Sequence, residues 1–161
     1  MSAITFNADE AFALAEQIEK NGAKFYRKAA GYTPGARDLL LKLAEMEDEH
    51  FRVFSEMRGE VSEGEKEALG DPDTEAEAYL SAMAGGYVFD VKKDPSETLT
   101  GKESFKDVLR IAIGLEKDSI VFYLGLKEMV SIKSGRGKIE DIIQQEMSHI
   151  TILSGHLEKA R

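Results

Sequence analysis

The sequence predicts an all-α four-helix bundle made of two helical hairpins joined by a long crossover. Three observations carry that expectation. Four long segments place an apolar residue every three or four positions, the period of a helix with one buried face. Short turns separate the segments within each pair, whereas residues 60–100 separate the pairs. The second pair also repeats the first. Ile18-Glu19-Lys20 and Phe25-Tyr26 are answered by Leu115-Glu116-Lys117 and Phe122-Tyr123 at an offset of 97 residues, and Glu47 and His50 by Glu146 and His149 at an offset of 99.

Asn7 with Glu10 three residues on is a capping box for the first helix. Phe12, Ala15, Glu19, Gly22/Ala23, Tyr26 and Ala30 then share one face as far as Gly31. Thr33 is expected as the N-cap of the second helix, with Pro34 at its first position. That helix passes through Leu39, Leu40 and Leu43 to about Met57 and ends near Gly59; Leu43, Glu47, His50, Phe54 and Met57 form its stripe. The link between the two helices is short, so they run antiparallel.

Residues 60–100 are acidic, rich in Gly and Pro, and weakly periodic. Within them Asp73/Thr74 is expected to cap a short helix through Ala76, Tyr79, Leu80 and Met83, stopped by Gly85-Gly86. Tyr87-Val88-Phe89 reads as a brief extended piece. A crossover of this length can run the height of a bundle. Thr100 with Glu103 forms a second capping box, and the third long helix aligns Phe105, Leu109, Ala112, Glu116, Ser119/Ile120, Tyr123 and Val130. Ser134-Gly135-Arg136-Gly137 is the last turn, and the fourth helix, from about Lys138, carries Ile142, Glu146, His149 and Leu153 on its stripe. One domain over residues 1–161 is expected, with hairpins at about 8–59 and 101–160 around a crossover at about 60–100.

Composition removes several function classes. The absence of cysteine excludes structural disulfides, thiolate metal sites and cysteine nucleophiles. No segment approaches the roughly 18 apolar residues of a membrane span, and the N-terminus lacks the basic and apolar regions of a signal peptide, so a cytoplasmic protein is expected. A net charge of −9 disfavours nucleic acid and anionic membranes as partners.

The chemistry lies where polar residues interrupt the apolar stripes. Two of the three histidines carry a Glu three residues upstream, so each pair leaves one helix face a single turn apart. Bringing the four stripes together puts Glu19, Glu47, His50, Glu116, Glu146 and His149 in one interior. Four carboxylates in a small apolar space repel and stay partly protonated unless cations balance them. Two divalent cations balance the four charges, and oxygen with imidazole ligation suits iron or manganese. His156 lies on the same stripe but lacks the upstream Glu, and is read as a helix-capping terminal histidine. Glu16, Glu45 and Glu49 fall off the inward stripes and are expected in solvent, as are the acidic residues between Glu60 and Glu77.

The spacing of Glu19 to Tyr26 and of Glu116 to Tyr123, with the two Glu-x-x-His motifs, resembles the ferritin-like superfamily, and within it the rubrerythrin-related di-iron carboxylate proteins. The resemblance implies a ferritin-like bundle in which Glu47 and Glu146 bridge two iron ions, with manganese or a mixed pair as variants. Glu19 with His50 would complete one metal and Glu116 with His149 the other, with Tyr26 and Tyr123 bonded to the terminal Glu ligands. It further implies a homodimeric oxidoreductase that reduces hydrogen peroxide or dioxygen. Full-length rubrerythrins carry a four-cysteine rubredoxin domain that delivers electrons. This chain has no cysteine, so an external electron-donor protein is implied. They also carry a further carboxylate where this chain has Ser119. Ferroxidase or iron handling at the same residues is the first alternative, and a helical interaction protein with a structural metal site the second.

Overall fold

The amphipathic segments fold into helices, as shown by a computed structural model that describes residues 7–61, 75–84, 90, 93–130 and 135–160. They are α1 (Ala8–Ala30), α2 (Arg37–Gly59), a short α3 (Glu75–Ala84), α4 (Phe105–Met129) and α5 (Arg136–Lys159). No strand occurs among the described residues. Asp73, Thr74, Gly85-Gly86, Tyr87-Val88-Phe89 and Ser134, all named in the sequence reading, lie outside them, as does much of the acidic stretch from Glu60 to Glu77.

Two apolar cores stack along the bundle. One joins Phe12 and Ala15 of α1 to Phe54 of α2, Leu80 and Met83 of α3, Phe122 and Leu126 of α4, and Ile139 and Ile142 of α5. The other joins Phe25 and Ala29 of α1 to Leu40 and Leu43 of α2, Leu109 and Ala112 of α4, and Leu153 of α5. The start of α1 therefore lies beside the ends of α2 and α4 and the start of α5. Each hairpin is antiparallel, and the chain must cross the full height of the bundle between α2 and α4.

Two groups of contacts fix the crossover. Near its end, Asp94 pairs with Lys24, the Asn21 amide donates to the Lys93 carbonyl at 3.4 Å, and Lys28 donates to the Ser96 carbonyl at 2.7 Å. This straps residues 93–96 along α1. Farther back, α3 lies on α4 at Gly125, where an added Cβ would sit 2.5 Å from the Tyr79 ring. The Tyr79 hydroxyl donates to the Val121 carbonyl at 2.5 Å. Only a glycine admits that ring so close to the helix backbone.

The helix starts follow the sequence in one case and depart from it in three. Asn7 and Glu10 form the reciprocal capping box, with Glu10 N–H on Asn7 Oδ1 at 2.8 Å. Thr33 takes the N-cap position of a 3₁₀ turn and not of α2, and its side chain makes no capping bond. Its hydroxyl donates back to the Ala29 carbonyl, Pro34–Ala36 form a 3₁₀ turn, and α2 begins at Arg37. Nor do Thr100 and Glu103 cap α4. The true cap is Ser104, whose hydroxyl accepts the Asp107 N–H at 3.1 Å, while Glu103 closes the loop before it. α5 starts at Arg136 instead of Lys138, because Gly135 adopts φ 109° and ends the turn earlier. Glu45 and Glu49 are exposed, but Glu16 is half-buried and accepts from Arg58, which also chelates Asp9 at 2.8 and 3.1 Å. A long Arg on α2 reaches α1 at a distance that helical spacing does not reveal. His156 is half-buried, its ring edge-on to Phe105 at 6.3 Å.

Two predictions follow from these contacts. Gly125→Ala should destabilise the protein by about 1–3 kcal/mol through overpacking against Tyr79. Gly114→Ala, where an added Cβ meets nothing, should be neutral or stabilising in thermal unfolding. The Glu103 carboxylate accepts the N–H groups of Thr100 at 2.8 Å and Gly101 at 3.1 Å, and the Tyr32 hydroxyl at 2.9 Å. Led by the Thr100 N–H, these bonds hold its carboxyl down at about 2. A group with a depressed folded pKa stabilises above its unfolded value and loses that stabilisation as pH falls through the folded one. Glu103→Gln should therefore lower Tm at neutral pH and approach wild type as pH falls toward about 2.

Candidate metal centre

Between the two apolar cores lies a single polar layer. α1 supplies Glu19, α2 Glu47 and His50, α4 Glu116, and α5 Glu146 and His149; all six are buried, the most exposed, Glu47, at 4%. Each sits at the same height because each interrupts an apolar stripe midway along its helix. Burying four carboxylates without a compensating charge is very costly.

The side chains converge on two points. His50 Nδ1 lies 2.7 Å from Glu146 Oε1 and 3.4 Å from both Glu19 Oε2 and Glu47 Oε2. His149 Nδ1 lies 3.4 Å from Glu116 Oε1, 3.4 Å from Glu146 Oε2 and 3.7 Å from Glu47 Oε1. The two imidazoles stack with centroids 5.7 Å apart. Ligand atoms of Glu19, Glu47, His50 and Glu146 all lie within 4.8 Å of one another, and so do those of Glu47, Glu116, Glu146 and His149. The two quartets share Glu47 and Glu146.

Hydrogen bonds bind this layer from outside. Tyr26 of α1 donates to Glu116 Oε1 of α4 at 2.5 Å, and Tyr123 of α4 donates to Glu19 Oε1 of α1. Each tyrosine thus serves the opposite hairpin's Glu, not the one two turns away on its own helix. Burial, reinforced by the charge of Glu116 beside Tyr26 and of Glu19 beside Tyr123, pushes both phenols well above their usual range, so both keep the proton they donate. Beyond the layer, His50 Nε2 meets Gln145 Oε1 at 2.8 Å. Gln145 escaped the sequence reading because it lies one position off the α5 stripe, and only its neighbour Glu146 marks the place.

Burial raises the carboxyls of Glu19, Glu47, Glu116 and Glu146, and their mutual repulsion raises them further. Burial alone would depress the two histidines. The surrounding carboxylates, Glu146 first for His50 and Glu116 first for His149, outweigh it and hold both up. Several atoms facing the centre still have no hydrogen-bond partner: Nδ1 of both histidines, both oxygens of Glu146, and Glu116 Oε2. None of the short contacts to His50 Nδ1 has hydrogen-bond geometry. Buried lone pairs of this kind, oxygen and imidazole together, fit two divalent cations of the iron or manganese type.

A cavity of about 240 Å³ reaches this layer between α1, α4 and the strapped crossover. Glu47 and Glu116 form its floor, Ile18, Gly22 and Leu115 line its side, and Ser119 stands beside Glu116. The lack of a side chain at Gly22 and the small one at Ser119 leave it open.

Four antiparallel helices around a buried carboxylate–histidine layer define a helical bundle of the di-metal carboxylate class. The chain belongs to the rubrerythrin family, whose sequence model matches residues 10–157. Its fold is also similar to the crystal structure of a protein from Thermotoga maritima described as a ferritin-like diiron-carboxylate protein. That similarity has TM-score 0.77 and 25% identity over 98% of each chain. No curated protein matches the sequence.

Tyr123→Phe should leave a buried Glu19 oxygen unpaired and cost about 1–3 kcal/mol in thermal unfolding of the metal-free protein. The same variant should bind divalent metal about 10–100-fold more weakly by calorimetry. Tyr32→Phe, far from the centre, should leave metal affinity unchanged.

Proposed function

We propose that the protein is a rubrerythrin-like di-iron oxidoreductase that reduces hydrogen peroxide or dioxygen with electrons from a separate donor protein. The observation that carries this reading is the pair of buried quartets sharing Glu47 and Glu146. In this reading Glu19 and His50 would hold one iron, Glu116 and His149 would hold the other, and Glu47 and Glu146, common to both quartets, would serve both. Two ferrous ions held there would supply the two electrons needed to convert one peroxide and two protons into two waters.

The chain's own residues do the rest. The cavity above Glu47 and Glu116 admits a small neutral oxidant along mainly apolar walls. The two apolar cores keep bulk water from the layer at either end. Tyr26 and Tyr123, which keep their protons, orient Glu116 and Glu19 by donating a hydrogen bond to each. The electron donor, a homodimeric assembly and a reducing cytoplasmic setting belong to the same proposal.

A second reading, oxidation of ferrous iron as substrate, is favoured by one observation. Among the described residues, Asp90, Asp94 and Asp118 line the cavity against the single cation Lys93, an acidic excess that concentrates cations, although Asp94 is paired with Lys24.

Anaerobic Fe²⁺ titration followed by stopped-flow mixing separates these outcomes. Saturation at two irons per chain, lost in Glu47→Ala and Glu146→Ala, is expected. Faster oxidation by peroxide than by dioxygen, without mineral growth under excess iron, supports the peroxidase. Faster oxidation by dioxygen with continued uptake supports iron handling, and a chain that binds no iron retires both.

A further inference from the structure

The two halves of the centre differ at the outer nitrogens of their histidines. His50 Nε2 has its partner in Gln145 Oε1 at 2.8 Å, across the bundle on α5. His149 Nε2, on a residue that is 0% exposed, has no hydrogen-bond partner among the described residues. The repeat explains the difference. Gln145 precedes Glu146 as Met46 precedes Glu47, and the offset of 99 residues maps one onto the other. Where one hairpin presents an amide oxygen to the facing histidine, the other has a thioether at the equivalent position of the repeat.

The consequence for metal binding is direct. A neutral imidazole that binds metal through Nδ1 must carry its proton on Nε2. For His50 that proton has an acceptor, which selects the tautomer, fixes the ring and makes Nδ1 a better donor. For His149 the same proton is buried without one, which costs free energy whenever Nδ1 is a ligand.

We infer that the two metal positions are unequal, and that Gln145, a positioning residue, makes the Glu19/His50 position the tight one and leaves the Glu116/His149 position weaker and exchangeable. This rests on the reading that the six residues hold two metals. The looser position is also the one whose Glu116 lines the open cavity, so its ion has the shorter path to solvent.

The test is titration of the metal-free full chain with Co²⁺, followed by calorimetry and by visible absorbance. Wild type should bind two ions in resolved steps about 10–100-fold apart. Gln145→Leu should weaken the first step until the two merge, and Gln145→Glu, which keeps an acceptor oxygen, should restore it. The imidazole Nε2–H signal of His50, protected from exchange in the wild-type proton NMR spectrum, should disappear in Gln145→Leu only. Met46→Gln should tighten the second step. Two equivalent ions in wild type, or resolved steps that survive Gln145→Leu, overturn the inference and leave the two-metal reading intact. Failure to bind two Co²⁺ ions overturns both.

Discussion

The rest of the structure depends on one constraint: four carboxylates and two imidazoles must be held together in a buried layer. Repulsion within that layer works against the fold. The apolar cores above and below supply the opposing term. Phe12, Phe54 and Phe122 on one side and Phe25, Leu40 and Leu109 on the other are fully or almost fully buried. They let the bundle carry a layer that would be destabilising in isolation. The phenols of Tyr26 and Tyr123 reduce the conflict by neutralising part of the lone-pair surplus without adding charge.

The crossover answers a geometric demand set by the same layer. To present six ligands from both sides, the hairpins must lie so that α2 ends at the opposite end of the bundle from the start of α4. The connecting chain then has to travel the full height, and it uses that path. Residues 93–96 are strapped to α1 over the cavity, and α3 packs on α4 where Gly125 gives it room. One connection thereby closes both the apolar end and the polar flank of the site.

The bundle and the six converging residues were legible because helical period and internal repetition are one-dimensional signals. Leu43, Glu47, His50, Phe54 and Met57 are all buried, as their spacing implies. What lay beyond reach were contacts set by three-dimensional neighbours. Which carboxylate each tyrosine serves depends on how the hairpins face each other, and within-helix spacing does not decide it. Thr33 and Glu103 carry cap chemistry but spend it on adjacent turns, because Pro34 favours a 3₁₀ start and Ser104 stands closer to the first turn of α4. Arg58 takes Glu16 out of solvent by reaching across from α2. In each case a long or polar side chain had several partners available, and packing decided among them.

The crossed bonds from Tyr26 to Glu116 and from Tyr123 to Glu19 have an evolutionary consequence. One hairpin holds half a centre and cannot complete either its metal positions or its tyrosine bonds alone. Two copies of a single ancestral hairpin, meeting about a two-fold axis, would already possess every part, each tyrosine reaching into its neighbour. Fusion of two such genes would turn that meeting of equals into one molecule and release the halves from identity. Positions 46 and 145 would then be free to part company, and a symmetric site could acquire two dissimilar sides.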